Sequence, residues 1–311
     1  MTRLVWLVSL LLCGGCAGGG AAGELGLVVL AGTLAFGFVV WSIEGGKKGR
    51  TRRAAGKLTN DRGNMLDQAM AQKKGQRLDP RSRKIIAGKM GLYHWLPKEL
   101  MKPWEERILA FLEHFPITFM KRDQATEEMR LLVAAEACLL IVKRPLSDYR
   151  HLRVIHLWEH EIEGNESARG SADRHEVNLS WGYLKKTIGQ ARDGHNLVLH
   201  EFAHLIDFAD DGVAQSIPVS RASPDFEEWR DLVEHEHARL MKAYEDGRNY
   251  SIRAYGGYES IQGDKPEIFS CGTSAFFERG SRLRRECPQI YRAMSKFYGV
   301  DPARWRKQKR V

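Results

Sequence analysis

Residues 195–208 read His195-Asn196-Leu197-Val198-Leu199-His200-Glu201-Phe202-Ala203-His204-Leu205-Ile206-Asp207-Phe208, directly after Asp193-Gly194. The run predicts a helix from about His195 to Phe208. At 3.6 residues per turn, positions i and i+4 share a face, so His200 and His204 can both ligate one Zn²⁺, while Glu201 reaches the water at the metal. Apolar residues surround this polar trio on both sides, so the helix must be buried. Buried imidazoles and a buried carboxylate are costly without partners, and a metal ion satisfies all three. The competing reading is a pair of core histidines hydrogen-bonded to backbone or carboxylates.

A catalytic zinc needs a third protein ligand and one open position. Glu267 is preferred over Glu259 and Glu278, because it heads the apolar stretch Ile268-Phe269, where a carboxylate can be buried toward the metal. Glu278, followed by Arg279 and Gly280, reads as facing solvent. Asp207 shares a face with His204 and either accepts a hydrogen bond from a ligand imidazole or is solvated at the helix end. His195 either orients the helix start or substrate, or packs in the first turn. His235 and His237, two apart on one helix, point to different faces. His151, His156, His160 and His175 flank short strands and read as loop residues.

Around this helix the chain alternates between helical and short β-rich stretches. Pro103-Trp104-Glu105-Glu106 opens a helix with Pro in its first turn, and residues 125–142 form a strong apolar helix that stops before Pro145. Residues 153–158 and 176–181 read as strands separated by a polar loop. A helix capped at Ser223-Pro224-Asp225 runs to Gly247, and residues 267–279 and 288–298 complete a mostly helical C-terminal region. The expected class is α+β, helix-dominated, with a small β-sheet.

The 311 residues are 43% hydrophobic and 28% charged, as in a folded globular protein, which excludes wholesale disorder and a polytopic membrane protein. The net charge of +9 is concentrated: Lys47 to Met90 carries 14 Lys/Arg against three Asp, a net +11 that leaves the rest at −2. A basic segment is not a basic binding face, and it lacks interleaved aromatics, so no nucleic-acid partner is expected. Five scattered cysteines form no disulfide framework and suit a reducing compartment.

Residues 1–44 read as a membrane-anchoring region. The uncharged run Leu25 to Ile43 is 19 residues long, enough to cross a hydrocarbon core, with Trp41 near its end. The basic cluster from Lys47 to Arg53 marks that flank as cytoplasmic. The earlier run, over 4–23, is a cleaved signal, a lipoprotein signal at Cys16, or the first arm of a helical hairpin. Residues 45–91 then read as a basic juxtamembrane linker with some helical content that favours anionic headgroups. The catalytic domain is expected over 92–311, on the cytoplasmic side of the inner or plasma membrane.

The stretch from Asp193 to Asp207 resembles the signature of the Mlc titration factor A family, zinc metallopeptidases related to the glycine-zincins. Asn178-Leu179-Ser180-Trp181 and Ala275-Phe276-Phe277-Glu278 also match that pattern, and the similarity spans about Trp95 to the C-terminus. The resemblance implies a zincin-like domain with metal ligands His200, His204 and Glu267, and Glu201 as general base. It places the active-site tyrosine on Tyr255, with Tyr258 as the alternative, because extra residues intervene before Glu267. Two departures surround that ligand: Pro266 stands immediately before it, where the family usually has Pro two residues ahead, and Ser274 replaces a frequent Glu.

Two functions are expected from these readings. The first is a membrane-tethered zinc peptidase acting on a peptide or protein substrate. The second, also implied by the resemblance, is a regulatory protein that sequesters a transcriptional repressor or another partner, with zinc mainly structural.

Overall fold

The computed structural model describes residues 58–120, 124–160, 162, 169–209, 215–252 and 267–308, and the unit treated below is Thr59–Val311. The apolar region 1–44, Tyr255, Tyr258 and Glu259 lie outside the described residues. Among the described residues, no helix is long and apolar enough to cross a membrane.

The elements in chain order are a helix over 58–72 (α1), α2 Pro80–Lys89, α3 Lys98–His114, β1 Ile117–Phe119, α4 Glu127–Leu140 and β2 Val154–Trp158. They continue with β3 Gly170–Ala172, β4 Glu176–Ser180, α5 Trp181–Thr187, α6 Leu197–Phe208, α7 Phe226–Glu245, α8 Glu267–Glu286 and α9 Pro288–Tyr298. The result is the helix-dominated α+β architecture that the alternating pattern implies.

The four strands form one mixed sheet in the order β1-β2-β4-β3, with β1, β2 and β4 parallel and β3 antiparallel at the edge. Register puts Ile117, Ile155 and Val177 in one row and Phe119, Leu157 and Leu179 in the next. All six are buried, so this face is the one covered by helices. The second row ends on the edge strand at Gly170, opposite Leu179. A row that is apolar across three strands and empty at the fourth leaves a gap beside the sheet, and α6 lies over it.

Helix α4 runs through the centre, with every residue from Leu131 to Leu140 buried. Its start is set by Thr126, whose hydroxyl accepts from the Met129 N–H at 3.2 Å. Phe202 of α6 packs against Phe111 and Tyr149, with ring centroids 5.9 Å and 5.2 Å away, which ties the middle of the His200–His204 helix to the core.

Three local expectations change. The helix placed at Pro103 starts at Lys98, five residues earlier. Buried Leu100 and Met101 secure its first turn, and the acceptor that loses its partner to Pro103 is the carbonyl of exposed Glu99. The polar loop between the two expected strands contains β3, whose Gly-Ser-Ala has no apolar alternation and pairs through backbone alone. The stretch read as linker through residue 91 has the helical content expected of it over most of its described length, but it also buries Leu66, Leu78, Ile86 and Met90. Arg77 of this stretch is paired in place: Glu105 of α3, fully buried, accepts from Arg77 at 2.7 Å and from the Leu78 N–H at 3.0 Å. The core therefore reaches further toward the N-terminus than residue 92.

Candidate metal centre

The N-terminus of α6 is set by Asn196, whose Oδ1 accepts from the Leu199 N–H at 2.9 Å. Its Nδ2 donates to Glu136 of α4 at 2.7 Å and to Glu278 of α8 at 3.4 Å. Glu278 is not solvent-facing, as its neighbours Arg279 and Gly280 suggested. It is 2% exposed, and its Oε2 accepts from the consecutive N–H groups of Arg192, Asp193 and Gly194 at 2.9, 3.1 and 3.3 Å. Those three amides curl around one oxygen because Arg192 and Gly194 both take positive φ, 75° and 83°. The loop before the helix is thus held by a carboxylate far away in sequence.

Burial pushes Glu278 up to about 7, with Asp193 adding to the rise, and pushes Glu136 up to about 8 against the opposing Asn196 hydrogen bond. For Glu136 the folded-state value lies above the ordinary 4.5, so the folded chain holds the extra proton between the two. Its contribution to stability is full below about 4.5 and is lost as pH rises through about 8. Glu136→Gln is therefore expected to remove a loss of about 2–4 kcal/mol between those limits, read from denaturant midpoints at either end. An unchanged pH slope in the variant would place the titration elsewhere.

The far end of α6 is fastened through Asp207. Its buried Oδ2 accepts from the N–H groups of Gln215 and Ser216 at 2.8 and 2.7 Å, in place of the two roles expected for it. Ser216 Oγ in turn accepts from the Phe269 N–H at 2.9 Å, in the first turn of α8. One carboxylate and one hydroxyl thereby couple the helix of the two histidines to the helix that begins at Glu267.

This coupling brings the three expected donors together. Their ligand atoms lie within 4.8 Å of one another. His200 Nε2 is 3.3 Å from Glu267 Oε2, His204 Nε2 is 3.5 Å from Glu267 Oε1, and the two Nε2 atoms are 3.3 Å apart. Side-chain exposure rises from 5% at His200 to 12% at His204 and 20% at Glu267, so the cluster opens on the Glu267 side. Burial alone would raise Glu267, but hydrogen bonding and attraction to the two imidazoles outweigh it and hold the carboxyl well below its usual range. A pair of imidazoles and an ionised carboxylate, all converging on one point, is a donor set that suits zinc.

Glu201 is 5% exposed, and burial raises its carboxyl, with His200 and His204 opposing that rise. Its carboxylate occupies the gap left at Gly170. A methyl group there would overlap Glu201 Oε1 and come within 2.7 Å of Leu197 Cδ1. The Glu201 side chain is the part free to yield, so Gly170→Ala is expected to displace the carboxylate, and any turnover that depends on that carboxylate should fall by about tenfold or more. Zinc content should be unchanged, and wild-type turnover in the variant would show that the carboxylate has another resting place.

Of the residues singled out from sequence, His200, His204, Glu267 and Glu201 are brought into one site, and Glu278 lies outside it. Asn196, Glu136, Gly170 and Cys271 went unread. Only Asn196, an Asn ahead of an apolar run, carried a sequence signal, that of a helix cap.

Paired imidazoles one turn apart, completed by a carboxylate from a second helix, are the donor arrangement of a zinc hydrolase centre. A profile of the glucose-regulated metallo-peptidase M90 family matches residues 65–299, and the chain belongs to that family. The match starts well before Trp95, in keeping with the buried residues of α1 and α2. An uncharacterized protein of Synechocystis sp. is 26% identical over 241 residues, 72% of this chain and 86% of the relative. Proteins named Mlc titration factor A from Pectobacterium atrosepticum and Edwardsiella ictaluri are 26% and 27% identical over 132 and 114 residues. These matches cover 48% and 40% of those two relatives, less than half of their length.

Proposed function

We propose that this chain is a zinc-dependent peptidase in which His200, His204 and Glu267 hold the metal and Glu201 is the general base. The observation that carries the reading is the convergence of three ligand atoms within 4.8 Å beside a buried carboxylate, in a chain of a metallo-peptidase family. Held by His200, His204 and Glu267, a zinc ion would supply Lewis acidity toward the scissile carbonyl and would lower the pKa of a water toward about 7. Glu201, its affinity for protons raised by burial, takes the proton from the attacking water and passes it to the leaving amine. Tyr255, or Tyr258 in its place, stabilises the developing oxyanion, by the resemblance described above. The test is digestion of a peptide library by the full chain, zinc-loaded and after chelation. Cleavage that needs zinc and returns with it is expected; none in either state would overturn the peptidase assignment.

The chain is held at a membrane by residues 25–43, with the peptidase domain on the cytoplasmic side. The 19-residue apolar run, the basic cluster that follows it, and buried cysteines that form no disulfide among the described residues support this placement. The full chain should sediment with membranes and need detergent for release; recovery in the soluble fraction would remove the tether.

The second reading, capture of a transcriptional regulator, is favoured by the name of the two Mlc titration factor A relatives. It predicts a partner bound equally well by an inactive Glu201 variant.

A further inference from the structure

Cys271 lies one turn after Glu267 on α8, and it is 1% exposed. Its Sγ is 3.8 Å from His200 Nδ1 and 3.7 Å from Glu267 Oε2. Both distances are within the reach of sulfur hydrogen bonds, and the thiol touches two ligands that come from different helices. We propose that Cys271 is a positioning residue that joins these ligands: His200 Nδ1–H donates to Sγ, and the Sγ–H donates to Glu267 Oε2. The inference rests on the zinc-site reading above.

The chemistry follows from the two faces of the imidazole. His200 turns Nε2 toward Glu267 and His204, so Nε2 must keep its lone pair for a metal and the ring proton must sit on Nδ1. A proton on Nδ1 needs an acceptor, and metal-site histidines ordinarily find one in a carboxylate, a carbonyl or water. Here a protonated thiol lies within reach of that position. A thiol accepts and donates at the same sulfur, which a carboxylate cannot do, so a single side chain can set the tautomer of His200 and orient Glu267. The sulfur faces the ring nitrogen opposite the one turned to the other donors, which separates this role from that of a fourth ligand.

The test compares wild type, Cys271→Val and Cys271→Ser as full-length chains, with zinc affinity read by chelator competition. Valine keeps the volume and removes the hydrogen bonds, so zinc should bind about tenfold more weakly, at the low end of losses seen when groups behind metal ligands are removed. Serine donates and accepts as the thiol does and should recover most of that loss. Equal affinity in the valine variant, or a serine variant as weak as valine, would overturn the proposal. If the valine variant does not fold, the Nδ1 proton resonance of zinc-bound His200 decides. It should shift between wild type and Cys271→Ser as the acceptor changes from sulfur to oxygen, and an unshifted signal counts against the contact. A sulfur-to-metal charge-transfer band in the cobalt-substituted wild type would make Cys271 a ligand and overturn the assignment. Wild type that binds no zinc at all would instead defeat the metal-site reading itself.

Discussion

Glu201→Gln is expected to abolish peptide hydrolysis while zinc stays stoichiometric. The substitution keeps the shape of the side chain and removes its ability to take a proton. A positioned general base contributes roughly 10²–10⁴-fold to rate, so residual turnover should fall by at least the lower figure. The metal should be indifferent to the change, because the three donors that could hold it are His200, His204 and Glu267, and the Glu201 carboxylate sits instead against Gly170. Stability should change little or rise slightly, since a buried carboxylate whose protonation is favoured by burial gives way to a neutral amide of equal size. Peptide turnover and metal content measured on the same preparation separate the outcomes. Wild-type rates in a zinc-replete variant would show that Glu201 is not the base.

The second large effect is expected at the ligands. His200→Ala, His204→Ala and Glu267→Ala should each lose stoichiometric zinc, and with it the stabilisation that binding confers. At a free metal concentration about a thousandfold above the dissociation constant, that stabilisation is about 4 kcal/mol, so melting temperatures with and without zinc should differ for wild type and coincide for each variant. Glu267→Ala is the most discriminating of the three. It removes the carboxylate that pairs with both imidazoles, at 3.3 and 3.5 Å, and leaves the His200–His204 spacing on α6 untouched. Retained zinc in this variant, with loss on substitution of Glu259, would move the third ligand. Glu278 is a poor substitute, because its carboxylate is committed to three backbone amides and Asn196.

The variants divide by what they disturb. Ligand changes should remove the metal, Glu201→Gln should remove the proposed proton acceptor, and Gly170→Ala should move that carboxylate without altering its chemistry. Glu136→Gln acts at the start of α6, where its partner Asn196 caps the helix, and should show in the pH dependence of stability with the ligands intact.

The sequence alone was enough to place His200, Glu201 and His204 on one buried helix, because helical periodicity is a local property and apolar residues on all sides leave no solvent face. The strands at 154–158 and 176–180 and the helix over 226–245 were legible for the same reason. Each is written in short-range pattern, punctuated by Gly and Pro. Glu267 could be chosen from the apolar residues after it, but its approach to the histidines depends on how α8 lies against α6.

What tertiary structure alone decided is everything that joins distant segments. Glu278, beside an arginine, reads as a surface acid until the fold turns the 192–194 amides onto it. Gly170 reads as loop until edge-strand register sets it under Glu201. Cys271 reads as one more buried thiol until helix packing brings it beside His200. The basic residues of 58–90 read as linker until Glu105 and neighbouring apolar side chains draw that stretch into the core. In each case the deciding partner is 27 or more residues away. Periodicity shows which face of an element is buried, and only packing determines what it is buried against.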